Sequence, residues 1–173
     1  GKDPYDSTTS EKPVEKYTDY VGKEIKGMKV GIVKEAFNEG VDKSVAGLVK
    51  DTVESLGQFG IESSEVTMPI TMKYSLPAYY VLALSEASAN LACLCGLRYG
   101  VQEDMDMNFN EYFTKIRTEN FGKEAKRRIL LGTFARMSGY RDAYYLKAAK
   151  VRTLIINEYK KLLNKFDVLI TPT

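Results

Sequence analysis

Residues 28–68 carry the pattern of a strand, a helix and a second strand, and this constrains the fold more than any other feature of the chain. Met28–Val33 (MKVGIV) is a compact apolar run that ends before a polar, glycine-containing loop, as a buried strand does. Asp42 then offers an N-cap for a helix whose apolar positions Val45, Leu48, Val49, Val53 and Leu56 recur at helical spacing, with Gly57 and Gly60 placed to end it. Ile61–Met68 returns to a strand pattern bounded by a glycine turn and a proline. A strand, helix and strand within about 40 residues form a βαβ unit, which crosses over right-handedly and lays its helix on one face of a sheet.

Long helices are expected to follow. Tyr80, Leu84, Ala87, Leu91 and Leu94 form one stripe starting near Leu76, with Pro77 in the first turn and Gly96 as the stop. A polar loop over about 102–110 leads to a helix at 110–118 and another at 124–137. Asp142 is placed to cap a last long helix. Its stripe of Ala148, Val151, Ile155, Tyr159, Leu162 and Phe166 buries one face, and lysines and Arg152 occupy the rest. Asp167–Thr171 reads as a final core strand. Residues 1–26, polar and broken by Pro4 and Pro13, read as an extended lead-in with one short helical turn near Tyr17, and 27–173 as a single domain. The expected class is α/β, a βαβ unit plus long helices packed on a mixed sheet.

Composition narrows the chemistry. A chain of 173 residues, 44% hydrophobic and 28% charged, is enough for one core. Its 25 basic and 23 acidic residues leave a net +2, which gives no electrostatic case for an independent nucleic-acid binder. Histidine is absent, so the commonest general base and the commonest metal ligand are both missing, and two cysteines do not build a zinc site alone. Cys93 and Cys95 fall on different faces of a helix and read as small buried hydrophobes. No apolar run approaches about 18 residues and the first residues carry no secretory pattern, so a cytoplasmic protein is expected, neither exported nor membrane-spanning.

The stretch 121–152, FGKEAKRRILLGTFARMSGYRDAYYLKAAKVR, combines a tandem arginine, a Gly-Thr break and a tyrosine cluster. With GKDPYDSTT at 1–9, KGMKVGIVKEAF at 26–37, SLPAYYVLALSEASANLA and GLRYG between 75 and 100, and DVLITPT at 167–173, it resembles the amidase-signature family. The resemblance is to the branch that takes ammonia from glutamine for tRNA-bound glutamate. These stretches fall in the family's order along nearly the whole chain. Cys93–Gly96, Arg136 and Arg141 depart from its usual wording.

The resemblance implies a partial amidase-signature fold, cut at both ends, and assigns Arg128 and Tyr79 to the positions of the family's glutamine-holding arginine and tyrosine. A guanidinium fork grips an α-carboxylate through two charge-assisted bonds, each worth about 1.5–3 kcal/mol. A tyrosine hydroxyl donates and accepts while its ring walls the pocket. Spacing alone favours plainer roles, a Glu124–Arg128 ion pair one turn apart on a helix and core packing for Tyr79. The family's Ser-Ser-Lys relay needs serines in a Gly/Ser-rich loop. The adjacent serines here, Ser63 and Ser64, lie in a strand with no flanking glycines and read as a solvated strand face, so no catalytic residue is expected in this chain.

By the same resemblance the chain holds no cofactor of its own, and ATP and Mg²⁺ belong to a partner subunit. Glutamine, the partner amidotransferase subunits and, through the complex, tRNA are the implied partners, and the chain alone is expected to be inactive and to self-associate through uncovered strand edges. A free-standing amidase acting on other small amides and a non-enzymatic interaction module remain as alternative readings of the same residues.

Overall fold

The computed structural model describes residues 1–38 and 40–173. Strand β1 (Lys29–Val33) is central, with β2 (Glu62–Val66) on one side and β3 (Val168–Ile170) on the other. Lys29 stands opposite Glu62 and Val33 opposite Val66, while Val30 to Ile32 face Val168 to Ile170. The α/β class holds. All three described strands are parallel, where a mixed sheet was expected, because helices intervene between each strand and the next.

Helix α1 (Lys43–Leu56) links β1 to β2 as anticipated. Asp42 Oδ1 accepts from the amides of Ser44 at 2.8 Å and Val45 at 3.3 Å, and Gly60 closes the following turn at φ +77°. Strand β3 is clasped to β1 by a reciprocal pair: Lys29 N donates to Asp167 Oδ2 at 2.7 Å, and Asp167 N donates to Lys29 O at 2.8 Å. Val33, Ala36, Val66 and Met68 pack together beneath Phe37, Leu162, Phe166 and Leu169. In β2 only Val66 is buried, so Ser63 and Ser64 lie on a solvated strand as expected.

The helices are α2 (Pro69–Asn90), α3 (Phe109–Asn120), α4 (Lys123–Arg136) and α5 (Lys147–Leu163). Helix α2 starts at Pro69, seven residues before the expected Leu76, and Pro77 lies inside it. Pro69 occupies the first turn, where a missing N–H costs nothing. The next amides find acceptors far along the chain: Ile70 N and Thr71 N donate to the Glu158 carboxylate at 3.2 and 2.8 Å, and Met68 N to that of Glu35 at 3.1–3.2 Å. This tertiary anchoring overrides the local cost of Pro77.

The expected stripe on α2 is also displaced. Its buried residues are Thr71, Ala78, Leu82, Leu84, Ser85 and Ser88, and Tyr80 is exposed. The reason is that α2 is flanked on two sides, by α4 and by α5, so small residues on both flanks replace a single apolar stripe. Gly132 of α4 sits so close that a Cβ there would lie 1.9 Å from the Leu84 carbonyl oxygen. Beside it Arg136 Nη2 donates to Ser88 Oγ at 2.9 Å. On the other flank, Ala78 and Leu82 pack on Ala148 with Val81, Tyr145, Ala149 and Val151.

Helix α2 ends at Asn90, before the expected Gly96, and Cys93 is exposed, not buried, in the short turn that follows. Asn108 caps α3 through Glu111 N, and the Tyr112 hydroxyl donates to Gly96 O at 3.1 Å. Asp142 does not cap the last helix; it opens a π-helical turn, Asp142–Leu146, that runs into α5. The first 26 residues are almost wholly exposed, with one 3₁₀ turn at Tyr17–Tyr20.

Candidate functional site

Arg128 lies in the second turn of α4, a helix whose first turn carries Glu124 at the favourable end of the helix dipole. Glu124 Oε1 accepts from Arg128 Nε and from Arg127 Nη2, both at 2.8 Å, and Oε2 accepts from Arg127 Nε at 2.8 Å. Spacings of three and four residues put both arginines beside one carboxylate, so the tandem pair converges on Glu124 despite the turn of about 100° between neighbours. Hydrogen bonds from Arg127 and then Arg128 hold the Glu124 carboxyl down at about 2. The Arg127 guanidinium is raised in turn by its hydrogen bond and charge pairing with Glu124.

Arg128 is half exposed, and Glu124 is the only acceptor of its guanidinium among the described residues. The bond is made by Nε, which leaves the Nη1–Nη2 end directed away from the ion pair. A carboxylate meeting that end can accept two parallel hydrogen bonds without breaking the contact to Glu124. The plain ion pair that spacing suggested is therefore present, and it is compatible with a second, ligand-facing use of the same side chain.

Tyr79 is on α2, 60% exposed, with its ring edge-on to Tyr80 at 5.7 Å between centroids. It lines an open groove of about 330 Å³ between α2 and α5, together with Ser75, Leu82, Glu86, Arg152 and Ile155. Arg128 is not among the residues lining that groove; the two side chains stand on neighbouring packed helices, α2 and α4. The structure adds Glu124 as the residue organising both arginines, a role legible from a glutamate three and four positions before them. It also adds Glu158, on which no sequence signal fell except that α2 begins with no Ser, Thr, Asp or Asn cap. No group of three or more His, Cys, Asp or Glu residues suited to a metal occurs among the described residues.

The amidase family model matches residues 1–173. The chain belongs to the amidase family. Its relatives in this family include the A subunit of the Koribacter versatilis glutamyl-tRNA(Gln) amidotransferase, 46% identical over 173 residues. The A subunit of the Staphylococcus haemolyticus enzyme is 49% identical over 175 residues. Each alignment covers 100% of this chain and 36% of the relative. The crystal structure of the A subunit of the Thermotoga maritima glutamyl-tRNA(Gln) amidotransferase superposes with a TM-score of 0.61 at 29% identity, covering 100% of this chain and 32% of that one. This amidase-family chain thus spans about a third of the length of the relatives it matches. No helix among the described residues is long and apolar enough to cross a membrane.

Proposed function

We propose that this chain is the glutamine-holding part of the A subunit of a tRNA-dependent amidotransferase, acting in the cytoplasm. The observation that supports this most is identity of 45–49%, across essentially the whole chain, to relatives that all bear the one description. Arg128 offers its Nη pair to the α-carboxylate of glutamine while Glu124 steadies Nε, and Tyr79 supplies a phenol and an aromatic wall.

Hydrolysis requires a nucleophile that these residues do not supply. Ser63 and Ser64 lie on a solvated strand, far in character from a glycine-shaped oxyanion site, which supports the reading that the chain alone releases no ammonia. In the assembled enzyme the partner subunits receive ammonia and use ATP and Mg²⁺ to amidate glutamate on tRNA. None of that second reaction is assigned to this chain.

The test is a chimera in which this chain replaces the matching third of the Staphylococcus haemolyticus protein. Glutamine-dependent ammonia release is expected, with Arg128→Lys raising KM for glutamine by about tenfold or more, because a lysine gives up the two-bond fork. An unchanged KM in both Arg128→Lys and Tyr79→Ala overturns the assignment. Release from simple aliphatic amides in preference to glutamine would transfer the chain to the free-standing amidases.

A further inference from the structure

We infer that Glu158 and Glu35 are positioning residues that set where α2 lies, and with it Tyr79; the link to substrate rests on the glutamine reading above. Helix α2 lacks a cap of its own. Met68, at the N-cap, makes no side-chain cap bond, and Pro69 has no N–H, so the first donors that need acceptors are Ile70 N and Thr71 N. Most helices satisfy such groups from their own cap residue. Here each amide takes one oxygen of Glu158, from the middle of α5, at 3.2 and 2.8 Å. Just before the helix, Met68 N lies between both oxygens of Glu35, which stands in the turn leaving β1.

A helix capped locally keeps its cap wherever it moves as a rigid body. Helix α2 keeps these bonds in one placement only, relative to α5 and to the exit of the central strand. Thr71, 7% exposed, has a hydroxyl with no partner among the described residues, so its amide bond to Glu158 is the polar anchor at that buried position. Two negative charges at a helix N-terminus are also favoured by the dipole. Tyr79 stands ten residues beyond Pro69, roughly 15 Å along the axis. A tilt of about 4° at the anchored end displaces that ring by about 1 Å, a shift that matters at a substrate site.

The test uses the same chimera and, separately, the 173-residue chain. In the chimera Glu158→Ala is expected to raise KM for glutamine about tenfold with kcat within about twofold, and Glu158→Gln, which keeps one acceptor oxygen of the two, to fall between Glu158→Ala and the unmutated chain. In a Tyr79→Ala background, Glu158→Ala is expected to add nothing to KM, because its effect passes through that ring. Equal increments in the two backgrounds overturn the proposal. In the 173-residue chain, Glu158→Ala is expected to speed amide exchange at Ile70 and Thr71 at least tenfold, with Glu158→Gln intermediate. Unchanged exchange overturns the anchor whatever the kinetics show. Should Tyr79→Ala by itself leave KM untouched, the link from α2 to substrate fails, the glutamine reading then stands or falls on Arg128→Lys, and the exchange rates still decide the anchor.

Discussion

Arg128 reaches Glu124 with its Nε alone, at 2.8 Å, and the Nη1–Nη2 end of its guanidinium meets no acceptor among the described residues. The ion pair is compatible with the glutamine-holding role proposed for the same side chain. A lysine at 128 would satisfy Glu124 or a ligand carboxylate as a point charge, but not with a fixed fork aimed at the second partner.

The same contact predicts an acid-dependent property. Glu124, held at about 2 by Arg127 and Arg128, has a folded-state value below that of an unfolded glutamate near 4.5. Its contribution to stability is therefore fully present above the unfolded value and is lost as pH falls from about 4.5 through about 2. NMR titration of the Glu124 side chain should give a midpoint near the lower figure, and Arg127→Gln should move it upward. A midpoint at the ordinary glutamate value would show that the three bonds do not persist in solution.

Two glycines should respond oppositely to alanine. At Gly132 the new methyl would meet the Leu84 carbonyl oxygen at 1.9 Å, so α4 must move off α2, at a cost of about 1–3 kcal/mol. Nothing lies within 4 Å of a Cβ at Gly47, inside α1, where alanine should stabilise by about 0.5–1 kcal/mol. Urea unfolding of the two variants gives the comparison, and the same sign for both would mean that the α2–α4 approach is looser than described.

Asp42→Ala removes the acceptor for two first-turn amides of α1 and should lower stability by about 1 kcal/mol. Asp42→Asn should retain most of it, since the capping oxygen survives. Thermal unfolding of the pair separates loss of the cap from loss of the charge.

The outer edges of β2 and β3 carry no partner strand among the described residues. Self-association of the 173-residue chain is expected as concentration rises from micromolar to millimolar, because unpaired edges recruit further strands. Light scattering that returns the monomer mass over that whole range would refute it. Glu62 and Glu65 discourage pairing along β2, so substitutions in β3, such as Ile170→Lys, should weaken association more than changes at Ser63.

How much of the fold is legible in the sequence follows from how local each signal is. The β1–α1–β2 unit is legible because Asp42 and Gly60 act within a turn of the residues they organise. The Glu124–Arg128 contact is legible for the same reason. The start of α2 is not: two prolines compete as its first residue, and the carboxylates that decide between them arrive from positions 35 and 158. Its buried face escapes a search for one apolar stripe, because a helix held on two flanks hides serines and alanines instead. Cys93 reads as a core residue only if the helix continues to Gly96; ending at Asn90, it leaves the thiol in the open.

The clasp between Lys29 and Asp167 joins positions 138 residues apart. Strand β1 precedes β3 in the chain, so one of its two neighbours leaves the ribosome only after the five described helices have been made. Val30, Ile32 and Val33 must therefore wait half-covered while the residues up to β3 are made, and a pause or a cleavage before residue 167 leaves the central strand open to whatever apolar segment reaches it first.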